Sequence, residues 1–300
     1  MNAALFANKG NQLTPDEIIQ EVKHLPSSPK VLPRLKRLLT DGNSSLEEIA
    51  MLIRLDTALA ARVLRVGNSA YYNKGLRCQT VDEAVNRVGF DQVYELVSYA
   101  VASQVLVRPL EVYSIEAEDI WKQSVACALA AESIALQTGD DCNIAYTVGL
   151  LHRIGMVVIN EWALRQRPLL RLTGTDTLEE YTRSERAALG CTQADVGGEL
   201  LRQWDFPPEM SEPVHWQYAP HATASALRVA SLLYAARWVR AVVCSGAGVV
   251  PPPHPGILSV LRLTQLRLSM ITHEVSLRLE TISTLLDETG AAYERESMLQ

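Results

Sequence analysis

Residues 268–286, LSMITHEVSLRLETISTLL, decide the class of the fold. Leu268, Ile271, Val275, Leu279, Ile282 and Leu286 recur at steps of three or four, so at roughly 100° per residue they share one face of an α-helix. The spacing predicts an amphipathic helix over about 257–288, its stripe read as core packing with a partner groove as the alternative. The same period recurs upstream in Leu46, Ile49, Ala50 and Ile53. Helix starts are marked by Thr14-Pro15-Asp16-Glu17, Ser45-Leu46-Glu47-Glu48, Thr80-Val81-Asp82-Glu83 and Thr177-Leu178-Glu179-Glu180. In each, the hydroxyl satisfies an orphan amide while the carboxylate reaches back to the cap. Strand-like alternation is hard to find anywhere, and the expectation is an all-α chain.

Composition bounds the rest. The chain has 300 residues, 48% hydrophobic and 21% charged, which excludes disordered, fibrous and collagen-like classes. A chain this long can bury a core without metal or disulfide staples. Lysine and arginine number 28 against 34 acids, a net charge of −6 that disfavours general affinity for nucleic acid. The 3 Phe, 5 Trp and 10 Tyr give little support for a base-stacking surface. Cys78, Cys127, Cys142, Cys191 and Cys244 are widely spread with no CxxC pair, which argues for single thiols in a reducing compartment. No leader-like run opens the sequence and no apolar stretch is long enough to span a bilayer. A cytoplasmic location with no membrane partner is expected.

Punctuation divides the chain. Residues 1–13 read as a flexible N-terminus. Residues 14–108 read as an N-terminal set of short helices, and 109–244 as a second helical half opening after Arg108-Pro109. Residues 245–256, SGAGVVPPPHPG, cannot be helical because proline lacks the donor and fixes φ; they read as a linker to a C-terminal helix and tail over 257–300.

Common catalytic patterns fail. His273-Glu274 opens like a zinc-protease helix, but position 277 is leucine. Neither GxGxxG nor GxxxxGKS is present, and no Gly-x-Ser-x-Gly elbow appears.

The informative stretch is Gly149-Leu150-Leu151-His152-Arg153-Ile154-Gly155, preceded by Ile120-Trp121-Lys122-Gln123-Ser124. After it come Leu189-Gly190-Cys191-Thr192-Gln193-Ala194-Asp195-Val196-Gly197, then Leu200-Leu201-Arg202-Gln203-Trp204-Asp205-Phe206-Pro207 and Pro213-Val214-His215-Trp216. This order resembles the HD superfamily of helical metal-dependent phosphohydrolases, whose active members read LLHDIG. Earlier in the chain stand Leu25-Pro26-Ser27-Ser28-Pro29, Ile53-Arg54-Leu55-Asp56, Asn68-Ser69-Ala70-Tyr71-Tyr72, Thr80-Val81-Asp82-Glu83-Ala84-Val85 and Val88-Gly89-Phe90. With these, the series resembles the HDOD family, the HD-related output domain of bacterial signalling proteins, over roughly residues 22 to 240. The resemblance implies an HD-like helical domain joined to an N-terminal helical subdomain.

It also implies where metal ligands would stand, and the residues there are poor ligands. The expected histidine of the W-x-H-S helix is Gln123, the aspartate of the His-Asp pair is Arg153, and a further histidine is Gln193. His215-Trp216 stands where a His-His pair is expected, and Ser231 where the late aspartate would be. His152 and His215 remain, and two imidazoles do not make a hydrolytic site. At about 4 Å a guanidinium beside a dication is repelled by several kcal/mol even at an effective dielectric of about 20. Arginine cannot escape by losing its proton. No metal and no cofactor is expected.

Structural readings stand beside the functional ones. His152 reads as a buried histidine bonded to a carbonyl, with a ligand role as the alternative. Arg153 reads as pairing with an acid such as Glu199 or Asp195, with anion recognition as the alternative. Asn68 and Ser69 read as a helix end satisfying backbone groups, with ligand binding as the alternative.

The leading expectation is a non-catalytic signalling module acting through an unidentified protein partner. The second is a sensor holding a nucleotide or other phosphate ligand in the vestigial pocket, with Arg153 as anion donor and Gln123, Gln193 and His152 around it. A cyclic dinucleotide suits that reading by analogy. Residual metal-dependent phosphohydrolase activity is the third.

Overall fold

The computed structural model describes residues 12–22, 49–50, 53, 63–64, 66–68, 72, 78–89, 93, 109–174, 179, 181–204, 206–244 and 250–297, with side chains to 281 except at 143. Among these residues the elements are helical, apart from a single antiparallel bridge between Leu110 and Ile115. They are α1 (Pro15–Glu21), α2 (Val81–Val88), a 3-10 turn (Glu111–Tyr113), α3 (Ala117–Thr138), α4 (Cys142–Leu151), α5 (Ile154–Gln166) and α6 (Thr182–Leu189). After them come α7 (Gln193–Gln203), α8 (Pro208–His215), a second 3-10 turn (Pro220–Ala222), α9 (Leu227–Cys244), α10 (Pro255–Leu261) and α11 (Gln265–Ser297). The all-α reading of the sequence holds.

The chain forms two compact units, one of residues 1–26 and 105–281, the other of 27–104 and 282–300. The first is built around α3. Residues Ser124 to Ala131 are buried without interruption, so this helix is covered on every side. Its run of small side chains lets neighbours approach: a Cβ at Gly149 of α4 would stand 2.7 Å from the Cys127 carbonyl oxygen. Helices α4 and α9 pack on α3, α7 packs on α5 and α8, and α1 rests against α5 and α7. Leu13 N–H donates to Leu189 O (2.9 Å) and Trp162 Nε1–H to Glu21 Oε2 (2.7 Å), tying the N-terminal helix to this unit.

The caps follow the sequence with two differences. At Thr14 the box is complete: its N–H donates to Glu17 Oε2 (2.7 Å) and Glu17 N–H donates to Thr14 Oγ1 (3.3 Å). The backbone donor holds the Glu17 carboxyl below its usual range. At Thr80 the hydroxyl accepts from Glu83 N–H (3.2 Å), but the carboxylate takes the N–H of Gln79 (2.8 Å) instead of the cap's own. Thr192 builds a complete box with Asp195, a shorter acid than the sequence pattern sought. The boxes expected at Ser45 and Thr177 lie outside the described residues.

The helix expected as one piece over 257–288 is two. Arg262, at φ 55°, takes the left-handed conformation, and Leu263 N–H closes on Leu258 O (2.9 Å) as a helix-ending turn. Thr264 then restarts the chain by accepting from Arg267 N–H (3.2 Å). Before α10, Pro251 O accepts from Trp238 Nε1–H (2.7 Å), and the His254 ring caps Gly256 N–H (3.1 Å).

In the second unit, Asn68 pins residue 78 with both ends of its amide. Its Nδ2 donates to Cys78 O (3.0 Å) and its Oδ1 accepts Cys78 N–H (2.6 Å). Gly67 O accepts from Arg87 of α2 (3.3 Å). Ser69 lies outside the described residues.

Candidate functional site at the degenerate HD centre

The six positions singled out in the first unit fall on five elements. Gln123 is on α3, His152 and Arg153 form the turn between α4 and α5, Gln193 opens α7, His215 ends α8 and Ser231 lies in α9. The turn is fixed by tight backbone packing, since a Cβ on Gly155 would collide with the Gln193 backbone.

His152 is fully buried and its Nδ1 lies 2.6 Å from Gly149 O. A carbonyl can only accept, so Nδ1 carries a proton. The backbone oxygen of His152 accepts from Gln217 Nε2 (2.9 Å), which also donates to Val214 O (2.8 Å). Gln217 O in turn accepts from Arg237 Nη1 (2.9 Å), and that guanidinium lies 4.1 Å from the centre of the Tyr218 ring. The Tyr218 hydroxyl accepts from Gln193 Nε2 (2.9 Å). One chain of contacts thus runs from the HD-like turn to α7 through α9.

Buried acid anchors the same end of α7. Glu185 is fully buried, accepting Gln193 N–H on one oxygen (3.0 Å) and the Tyr113 hydroxyl on the other (3.0 Å). Burial, reinforced by the Glu185 charge, pushes the Tyr113 phenol well above its ordinary value. Tyr181 stacks edge-on against Tyr113 at 5.0 Å.

Arg153 is 3% exposed. Arg240 is also buried, and its Nη1 donates to Gln123 Oε1 (2.9 Å), occupying the oxygen that would face a cation. Both guanidinium groups act on the charge balance at Cys244. Burial pushes that thiol up, while Arg240, Lys122 and Arg153 pull it down and Asp119 adds to the rise. The two acids expected near Arg153 have other partners. Glu199 pairs with Arg202, and Asp195 caps Thr192 while lying 3.8 Å from His215 Nδ1. His215 also meets Trp216 edge-on at 4.7 Å, and Ser231 Oγ is buried without a hydrogen-bond partner.

A metal does not fit this donor set. Among the described residues no three His, Cys, Asp or Glu side chains converge. Two buried guanidinium groups stand at the turn and on Gln123, where a dication would meet repulsion instead of ligands. Of the six positions, His215 alone borders an open cleft of about 580 Å³, shared with Arg202, Glu212, Trp216, Thr223 and Ser225.

Sequence reasoning missed Arg237, Arg240, Tyr218 and Gln217. The available signal was two arginines three residues apart inside the apolar run of α9, where neither can reach water; both are buried.

Relatives agree with this architecture. A protein of Treponema pallidum (strain Nichols), described as uncharacterized, is 28% identical over 210 residues, 68% of this chain; the chain spans 40% of that relative's length. A crystal structure of a candidate signal transduction protein from Marinobacter aquaeolei VT8 superposes with TM-score 0.68 at 21% identity, covering 90% of this chain and 63% of that one. An HDOD domain protein of unknown function from Geobacter sulfurreducens matches at TM-score 0.64 and 20% identity, covering 91% and 96%. A candidate phosphohydrolase from Shewanella amazonensis SB2B matches at 0.58 and 22%, covering 86% and 93%. At these identities the structures share the fold. The HDOD domain model itself matches residues 25–220, a span that includes Asn68, Gln123, His152, Arg153, Gln193 and His215 but not Ser231, and on that match the chain belongs to the HDOD family.

Proposed function

We propose that this chain is a non-catalytic bacterial signal-transduction module that works through protein contacts, its HD centre converted from a metal site into a hydrogen-bonded structural core. The observation that carries the reading is Arg153, 3% exposed at the position the resemblance assigns to the HD aspartate, with buried Arg240 holding Gln123. Family membership supports the signalling context. Among the described residues no helix is long and apolar enough to cross a membrane. The test is elemental analysis of chain purified without chelator and soaked in manganese, iron, zinc or magnesium, followed by phosphodiesterase assay. Sub-stoichiometric metal and no turnover are expected. One or two tightly held ions per chain, or metal-dependent hydrolysis, overturns the reading.

One observation favours a second reading, a sensor for a phosphate-bearing ligand: two guanidinium groups are buried, Arg153 at the HD-like turn and Arg240 on Gln123. Buried cations of this kind suit an anion. Calorimetry with inorganic phosphate and with a cyclic dinucleotide tests it. Binding that Arg153→Ala leaves unchanged, or no binding at all, removes this reading.

A further inference from the structure

Helix α11 buries Leu268, Ile271, Val275 and Leu279 against its own unit and carries a second apolar stripe on the opposite side. Leu266 is 72% exposed, Met270 64% and Leu277 52%, with exposed His273 completing steps of four, three and four. This is the spacing of a helix–helix seam. On α3, Leu136 is 74% exposed one turn after Ser133, whose hydroxyl donates to Glu274 of α11 (2.9 Å).

We propose that this stripe is the contact between two copies of the chain, paired antiparallel along residues 265–281 of α11. The sequence of the exposed face is self-complementary. A two-fold axis between Ile271 and Thr272 sets Leu266 across from Leu277 of the second copy and Met270 across from its His273. On one flank it brings Arg267 to Glu274 of the second copy, opposite charges that the axis repeats. On the other flank Ser269 meets Ser276, small side chains that let the helices close. Arg267, Ser269 and Glu274 are exposed and Ser276 is half-buried. Antiparallel pairing thus joins opposite charges twice across the axis. Glu274 keeps one oxygen for Ser133 and lies 3.8 Å from Arg278, leaving its other oxygen for Arg267.

The paired stretch is about 24 Å long at the rise of an α-helix, a contact at the small end of specific interfaces. Weak, concentration-dependent self-association follows for such a contact. Sedimentation velocity on the full chain from 1 to 300 µM is the test, with circular dichroism to verify that each variant is folded. A concentration-dependent dimer is expected. Leu266→Glu with Leu277→Glu abolishes it, and because both positions are exposed the helical signal is retained. Arg267→Glu alone weakens it about tenfold, and adding Glu274→Arg restores it, since each copy then carries the swapped pair. A monomer across the whole range overturns the proposal. So does a dimer indifferent to the leucine substitutions, or one that the charge swap fails to rescue.

Discussion

Replacing Gly155 with alanine tests the geometry that holds the HD-like turn against α7. The added Cβ would fall on the Gln193 carbonyl oxygen and stand 2.8 Å from both the Gln193 carbonyl carbon and Gly197 N. These are backbone atoms of a helix that is itself boxed in by Glu185, α5 and α8, so no side chain can swing away. Ordinary contact begins near 3.4 Å, so clearing the Gln193 carbonyl oxygen requires α5 and α7 to part by about 1.5 Å, which opens the packing along the rest of their contact. Overpacking of this kind costs about 3 kcal/mol. In a unit of roughly 200 residues that lowers Tm by about 6–12 °C. Gly139→Ala is the control. It sits at φ 76° with nothing within 4 Å of the new Cβ, so it suffers only the left-handed strain of about 1 kcal/mol. Scanning calorimetry of both variants decides: a Gly155→Ala transition no lower than that of Gly139→Ala refutes the close approach and the site geometry built on it.

Two further perturbations address buried groups. Burial, with Asp195 and Glu185 nearby, pushes the Cys191 thiol up from 9.0 to about 12. The folded chain therefore keeps a proton that the unfolded chain loses near pH 9, and this stability is full below pH 9 and falls as pH rises toward 12. Urea midpoints of the native chain and Cys191→Ala should converge over that window, by at most about 1.4 kcal/mol per pH unit; a constant difference contradicts the assignment. The second concerns the bond from Trp162 Nε1 to Glu21. Glu21→Gln should cost about 1 kcal/mol, and a cycle with Trp162→Phe should return a coupling of similar size, whereas additive effects would mean α1 is held elsewhere.

What the sequence made legible is what depends on neighbours in the chain. The stripe of Leu268, Ile271, Val275 and Leu279 is buried as its period requires, and the Thr14 box forms with both its bonds. The break at Arg262 was not legible, because a left-handed residue other than glycine is imposed by the packing of the helices it joins and leaves no local signature. At the site, motif order located Gln123, His152, Arg153, Gln193, His215 and Ser231 but could not supply their partners. Gln123 meets Arg240 across 117 positions and His152 O meets Gln217 across 65, separations that only the folded chain brings together.

On the reading proposed above, those partners take the place of a metal. In the HD arrangement that the sequence resembles, the ligand positions fall on α3, the α4–α5 turn, α7, α8 and α9. Here bonds run between the elements themselves. Arg240 joins α9 to Gln123 of α3, Arg237 joins α9 to the turn after α8, and Gln217 joins that turn to His152. Tyr218 and Glu185 hold Gln193 at the start of α7 from two sides. Each arginine donates from a planar, permanently charged fork, so it can bridge at a distance where a neutral side chain would leave a buried acceptor unmet. The arrangement has a chemical consequence. Restoring an aspartate at position 153 alone would leave Gln123 held by Arg240, and Gln193 and Ser231 would still be poor metal ligands. On the proposed reading, the surfaces of the helices, and not their shared centre, are where the chain's activity should be sought.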